Sequence, residues 1–348
     1  MHAAAETGTL LLDARDVAEL LDYSSCIAAV EDAFRRQGKG ELPPVALCGL
    51  RMVDGGFHIK AAAVREPRPC FAAKTNANFP LNPARHGLPT IQGLVLLFDA
   101  VCGTPLAVMD SAEVTLRRTA SATAVAARYL ARSDARTLVL CGCGAQGRAH
   151  LEALVHVLRL ERVYAVDRDV AIARRFAGVM QSLLGIEIRA VDALAEHVLH
   201  ADVCVTCTTS REPLVTAADV PPGAFIAGIG ADDGDKQELA PDLLATSTLV
   251  VDSLEQCAAI GDLHHALEAG VMTPDGVHAE LGAVVAGVRP GRTSPEEVTV
   301  FDSTGTAIQD VAAAAMVYER ALAAGRGTRF NFARPRREEP VPGPCVDP

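Results

Sequence analysis

The chain has 348 residues, 49% hydrophobic and 22% charged, with a net charge of −11. That length accommodates two domains, and the acidic balance argues against a nucleic-acid partner, since the one basic cluster is the short run 334–337. No apolar run reaches membrane-spanning length, and residues 1–8 lack a basic start followed by an apolar core. No membrane partner and no export signal are therefore expected, and the expected compartment is the cytoplasm.

The ten cysteines fall mostly inside apolar runs (Cys102, Cys141, Cys204 and Cys207) and read as buried free thiols. Cys204 and Cys207 stand three apart in an expected strand, facing opposite sides, which argues against a metal or redox pair.

In chain order, residues 13–37 read as a helix with a short entry, capped by Asp13 or Ser24. Cys26, Ile27, Val30 and Phe34 recur at helical spacing, and Gly38 and Gly40 stop it. The pattern then changes to short apolar runs broken by Gly, Pro and Asn, which read as strands at 45–50, 56–63, 70–75, 90–99 and 105–109. Lys74 lies near the end of one of them. By pattern alone it is a snorkelling surface residue or a buried anion receptor, with the surface reading ahead. His86-Gly-Leu-Pro-Thr90 is only a turn. Residues 111–132 read as an Ala-rich helix with Arg117, Arg118 and Thr119 in its first turns. A guanidinium there is either exposed or faces a cleft between domains, where it could hold a carboxylate bidentately.

The stretch 137–167 is the most informative. A short apolar run, 137–141, leads into Gly142, Gly144 and Gly147 at the spacing G-x-G-x-x-G. An amphipathic segment at about 148–158 follows, then a second apolar run ending in Asp167. This is strand, glycine turn, helix, strand, acid, the arrangement that holds a dinucleotide. Gly142 permits the tight turn, Gly144 lets the backbone approach a pyrophosphate, and Gly147 lets helix and strand pack closely. The helix start offers unpaired N–H groups to phosphates. Asp167 can accept hydrogen bonds from a ribose diol and would repel a 2′-phosphate, which favours NAD(H). Arg168 beside it keeps NADP(H) as the alternative.

From 136 onward strands and helices alternate, with strands at 137–141, 163–166, 186–190, 203–206, 224–228 and 248–252. That implies an α/β fold with a Rossmann-type, doubly wound parallel sheet. Ligands of such sheets sit at the carboxyl ends of the strands. The rule selects Thr208, Thr209 and Ser210, then Ile229, Gly230 and Asp232, then Asp252 and Ser253. Asp232 is a site acid or part of a bland acidic loop. Asp262-Leu-His-His265 reads as a helix surface rather than a metal site. A strand at 297–302, Ser303-Thr304-Gly305 and an Ala-rich helix at 306–324 complete the ordered part. A Pro- and Arg-rich tail follows, with 336–348 expected to be disordered.

Set in order, these segments resemble the ornithine cyclodeaminase and mu-crystallin family, which includes archaeal-type alanine dehydrogenase and ketimine reductases. The resemblance runs from about residue 10 to 330. It rests on Lys74-Thr-Asn76, Gly87-Leu-Pro-Thr90, Pro105-Leu-Ala-Val-Met-Asp110, Arg118-Thr119 and Cys141-Gly-Cys-Gly-Ala-Gln146. Further along it rests on Gly230-Ala-Asp232, Lys236-Gln-Glu-Leu239, Phe301-Asp-Ser-Thr-Gly305 and Gln309-Asp310. It implies a homodimer of two-domain chains whose α+β domains pair sheet to sheet. That domain comprises 1–120 and a C-terminal helix at 307–335 that returns to it, with a Rossmann domain at 121–306. It also implies that Asp232 is the catalytic acid, that Lys74 binds substrate and takes part in catalysis, and that Arg118 meets the substrate carboxylate and the cofactor. Thr90, Thr119, Ala145, Gln146, Asp167, Lys236 and Ser303 would contact the cofactor.

The chain departs from the family where the substrate is chosen. The basic residue that many members carry after Pro-Pro is Val45 here, after Pro43-Pro44. A position that is Glu in ornithine cyclodeaminase and Arg in archaeal alanine dehydrogenase is His58. Lys60-Ala61 replaces a Met-Pro pair, and Lys60 either restores the lost charge beside the carboxylate or points to solvent. Neither name-giving activity is therefore expected. The resemblance implies instead an NAD-dependent amino-acid dehydrogenase or imine reductase acting on a small amino, imino or oxo acid. The alternatives are a cyclodeaminase that recycles its NAD and a non-catalytic NAD(P)H-binding protein.

Overall fold

The computed structural model describes residues 8–66 and 68–332. Two sheets dominate. The first has eight strands, all parallel, in the spatial order Ala279–Glu280, Thr248–Val251, Thr299–Asp302, Phe225–Gly228, Val203–Thr206, Thr137–Cys141, Arg162–Val166 and Glu187–Val191. Its central strands are buried on both faces, which is why they read as continuous apolar runs rather than alternating ones. From Thr137–Cys141 the chain winds one way to Glu187–Val191, then returns to Val203–Thr206 on the other side. The strand order reverses beside Thr137–Cys141, and the crevice of such a sheet opens at that point. The expected Rossmann-type fold is the one observed.

The second sheet is mixed and has seven strands, in the order Thr328–Phe330, Thr9–Leu12, Pro105–Asp110, Ile91–Asp99, Cys70–Asn78, Gly55–Val64 and Ala46–Met52. Side chains alternate across its strands. Ala62, Val64, Ala72, Val95 and Leu97 are buried on the face covered by the helices Ser111–Leu130 and Ala307–Ala324, with Tyr23–Gly38 packed on those two helices. The other face leaves Phe71, Leu94 and Leu96 exposed, and Leu50 and Met52 of the edge strand are exposed on the same side.

Several local expectations change. The segment 13–37 is two helices, Ala14–Leu20 and Tyr23–Gly38, because it holds two capping aspartates. The Asp13 side chain accepts from Asp16 N and that of Asp22 from Ser25 N, each at 2.9 Å, so Ser24 caps nothing. The turn before Thr90 contains a short helix, Asn82–His86, closed by Gly87 at φ +65. The helix after the glycine turn is Ala145–Leu154, starting three residues earlier than its apolar pattern suggests. Thr9–Leu12 and Thr328–Phe330 form the sheet edge together and are too short to show a period alone. Asp262–Glu268 is helical, but Asp262 is fully buried rather than on a helix surface. Every cysteine among the described residues is free, but Cys102, in the turn between two strands, and Cys48, on the edge strand, are exposed rather than buried. Among the described residues no helix is long and apolar enough to cross a membrane. The expectation for 336–348 lies outside the described residues.

Gly147 is fixed by close approach. A Cβ there would stand 2.0 Å from the Gly142 carbonyl oxygen, and Gly142 is itself held at φ +100. Gly147→Ala is expected to cost about 1–3 kcal/mol by forcing helix and strand apart, read as a lower urea midpoint with unchanged slope. An unchanged midpoint would show that this contact does not constrain the turn.

Candidate active site

A cavity of about 100 Å³ opens where the mixed sheet meets the strand ends of the parallel sheet. His58, Lys60, Lys74, Asn76, Asn78, Ile91, Arg118, Asp232, Asp233, Ile260 and Thr304 line it. One wall is the helix-facing side of the mixed sheet. Lys60 pairs directly with Lys74, His58 with Asn76, Asn76 with Gly93, and Asn78 with Ile91. The covering helices bury Ala62, Ala72 and Val95 further along the same face. Towards the other end of the strands the face becomes polar and opens into the cavity.

Lys74 and Arg118 are almost fully buried and share one carboxylate. Lys74 Nζ lies 2.8 Å from Asp310 Oδ1, and Arg118 Nε lies 2.9 Å from the same oxygen. Lys74 also donates to Thr115 Oγ1 at 3.2 Å, and Arg118 Nη1 to Gln309 Oε1 at 2.7 Å. Burial, with Arg118 repelling from beside it, pulls the Lys74 ammonium down to about 7. Burial alone would push the Asp310 carboxyl up, but Arg118 and Lys74 outweigh it and hold the group below its usual range. Lys60 does not point to solvent. Its Nζ donates to the carbonyls of Thr304 at 3.1 Å and Gly305 at 2.5 Å, and burial followed by repulsion from Arg118 lowers its affinity for the proton. His58 is exposed at the cavity's edge.

Asp232 faces this basic wall from the loop after Phe225–Gly228. It is half-exposed, and its Oδ1 accepts from Lys236 Nζ at 2.5 Å. Lys60, Lys74, Arg118, His58 and Asp232 therefore meet in one cleft, although they come from two strands of the mixed sheet, the helix Ser111–Leu130 and a loop of the parallel sheet, and span 174 positions.

The other candidates lie along the strand ends of the parallel sheet. The helix Ala145–Leu154 starts at Gly144 with no side-chain cap, so its first N–H groups are open to an anion. Nothing stands within 4 Å of a Cβ built at Gly144, and Ala145 is exposed beside it. Gln146 Oε1 is buried without a partner. Asp167 is fixed beside the turn, Oδ2 accepting from Cys143 N at 2.9 Å and Oδ1 from Asp169 N at 3.0 Å, with Arg168 exposed next to it. These open donors, the uncluttered Gly144 and the adjacent carboxylate fit a dinucleotide's pyrophosphate and ribose.

Thr90 is half-buried and immediately precedes the cavity-lining Ile91. Thr119 is buried on the helix that carries Arg118. Thr209 is exposed. Glu238 occupies the backbone N–H groups of Thr208 (2.5 Å), Ile229 (3.3 Å) and Gly230 (2.6 Å), which leaves carbonyls and side chains to meet a ligand there. The Ser303 hydroxyl donates to Asp252 Oδ2 at 2.8 Å, turning inward rather than towards the cleft.

Three residues that support the site, Gln309, Asp310 and Glu238, carried no role in the sequence, and Asp252 was selected only as a strand-end position for a ligand. Gln309 and Asp310 had a signal, a polar pair in the buried first turn of an Ala-rich helix. Glu238 had no separate signal among many acids, and nothing marked Asp252 as a support for the loop behind the site. Each becomes legible only when its loop N–H partners are seen.

Comparison with known proteins fits this geometry. The profile of the ornithine cyclodeaminase/mu-crystallin family matches residues 7–325. The chain is 39% identical to an alanine dehydrogenase of Archaeoglobus fulgidus over 328 residues, covering 94% of this chain and 99% of that protein. It is similar to the solved structure of an archaeal alanine dehydrogenase dimer with bound NAD, at 38% identity and a TM-score of 0.88, covering 93% of this chain and 99% of that one. It is also similar to the Δ1-pyrroline-2-carboxylate reductase of Thermococcus litoralis in complex with NADH and L-proline, at 34% identity and a TM-score of 0.87, covering 92% of this chain and 100% of that one.

Asp310 is the charge that balances the wall. Asp310→Asn is expected to cost about 3–5 kcal/mol, because it leaves buried cations uncompensated. The check is urea unfolding of the variant at pH 6.5 and 9. The loss should be smaller at the higher pH, where Lys74, already held near 7, is neutral. An equal loss at both values would mean that Lys74 carries no charge for Asp310 to balance.

Proposed function

Because the chain belongs to the ornithine cyclodeaminase/mu-crystallin family, we propose that it is an NAD(H)-dependent oxidoreductase acting on the C–N bond of a small α-amino or α-imino acid. The observation that carries this reading is the meeting of the buried Lys74–Asp310–Arg118 group with Asp232 across one cleft. A basic wall suits an α-carboxylate, and a half-exposed acid opposite suits the nitrogen.

In this reading Lys74 and Arg118 hold the carboxylate, with Lys60 beside them. The guanidinium fixes its direction and the ammonium adds charge. Bound NAD(H) supplies or accepts the hydride at Cα. Asp232 carries the proton to or from the substrate nitrogen or an attacking water as general acid or base. Lys236 holds Asp232 in place from the same loop. The open start of Ala145–Leu154 takes the pyrophosphate, and Asp167 takes the ribose diol. Asp167 also disfavours a 2′-phosphate, so NAD(H) is proposed over NADP(H).

Residues 121–306 would form the cofactor domain. Residues 1–120, with the helix beyond 307, would hold the substrate side and pair with a second copy. The apolar face that exposes Leu94, Leu96 and Phe71, with Leu50 and Met52 on the edge strand, supports a homodimer through that sheet.

The test is Asp232→Asn. The variant should bind NADH as the wild type does, by fluorescence titration, yet lose about 10²–10⁴-fold in turnover of whichever 2-oxo acid plus ammonia, or cyclic imine, the wild type reduces. Near-normal turnover would rule out the role. Ammonia release without net change in NADH would point to a cyclodeaminase.

A further inference from the structure

The reading above gives Lys60 no task of its own. Lys60 and Lys74 are directly opposed across antiparallel strands, on one face, where like charges repel and weaken the sheet. Arg118 adds a third cation to the same wall. The wall's buried carboxylate, Asp310, is already shared by Lys74 and Arg118. Among the described residues no carboxylate lies within ion-pair distance of Lys60, whose ammonium rests on two carbonyls instead. With Lys60 and Lys74 both protonated, three cations and one carboxylate leave two positive charges, one more than an α-carboxylate neutralises. Asp252 and Asp232 act on Lys60 only from beyond ion-pair distance: Asp252 accepts from Ser303 Oγ and Gly305 N, and Asp232 is paired with Lys236 on the opposite loop, with Asp233 beside it, on the side that takes the amine.

The lining around Lys60 is also wrong for an alkyl side chain. His58 and Asn76 flank it as a cross-strand pair, and Asn78 lies further along the same polar face. The apolar part of the cavity is confined to Ile91 and Ile260. Lys60 and Lys74 start about 5 Å apart at Cβ, so two anions held by them must be close together.

Resting on the oxidoreductase reading, we propose that Lys60 is a specificity-determining residue that receives a second carboxylate. The substrate class is then the amino or imino form of a short dicarboxylic acid, of the aspartate type, rather than alanine or a cyclic imine.

The test compares NADH oxidation by the full-length protein with ammonia plus oxaloacetate, ammonia plus pyruvate, and Δ1-pyrroline-2-carboxylate, in the wild type, Lys60→Met and Lys60→Arg. The wild type should prefer oxaloacetate by about tenfold or more in kcat/KM, the scale of one hydrogen-bonded charge contact. Lys60→Met should erase that preference, chiefly through KM, and Lys60→Arg should keep most of it. A wild-type preference for pyruvate or the cyclic imine, with a ratio insensitive to Lys60→Met, overturns the inference and leaves the oxidoreductase reading standing. Silence with all three substrates sinks the oxidoreductase reading instead. Calorimetric titration of the NADH-loaded protein with L-malate against L-lactate then decides the second carboxylate. Tighter malate binding that Lys60→Met abolishes supports it, and equal binding overturns it.

Discussion

One oxygen atom, Asp310 Oδ1, is shared by Lys74 and Arg118, and the site depends on that sharing. It joins the strand Cys70–Asn78, the helix Ser111–Leu130 and the helix Ala307–Ala324, so the end of the chain is tied back to its beginning. Burying each ion costs several kcal/mol, and one carboxylate does not balance two cations. Part of the imbalance shows in Lys74, whose hold on its proton falls to about 7. A wall of this kind is a poor device for stability alone. It becomes favourable when a further anion arrives from solution, and in that sense the fold stores a vacancy for negative charge.

The loops facing that wall are held from behind by buried acids. Glu238 accepts from Thr206 Oγ1 and from three loop N–H groups. Asp252 accepts from Ser303 Oγ, Gly305 N, Thr304 Oγ1 and Cys257 Sγ. Between them Asp262 and Asp302 each keep one oxygen with no partner, Oδ2 and Oδ1 respectively. Burial and repulsion from Asp302 push Asp262 well up, and burial and repulsion from Asp252 push Asp302 up to about 7. The backbone N–H groups of these loops thus turn inward and their carbonyls turn towards the cleft. That is why Lys60 finds the oxygens of Thr304 and Gly305 at the mouth.

The parallel sheet was legible because its signals are local. The strands Thr137–Cys141 and Val203–Thr206 and the glycine spacing between them are set by neighbours a few residues away. The basic wall was not legible, because its meaning is long-range. Lys74 and Asp310 are 236 positions apart, and residue pattern alone favoured a surface lysine at 74. Resemblance to a family pointed to Lys74 and Arg118 but gave no role to Asp310, since that residue acts through the two cations. Lys60 stood equally well for a solvent-facing residue until its strand partner and its two carbonyl acceptors were placed. The break between Ala14–Leu20 and Tyr23–Gly38 was hidden for a simpler reason, that two capping aspartates nine residues apart can each open a helix.

The central claim is that the Lys74–Asp310–Arg118 wall receives the substrate carboxylate, and proton linkage at Lys74 tests it most directly. Calorimetric binding of a small amino or hydroxy acid to the NADH-loaded protein would be measured between pH 6 and 9 in buffers of different ionisation heat. The wall should bind with Lys74 protonated. Since its proton is held only to about 7 in the empty site, affinity should fall as pH rises through that value, with net proton uptake on binding above it. Affinity independent of pH, with no proton uptake, would contradict the account.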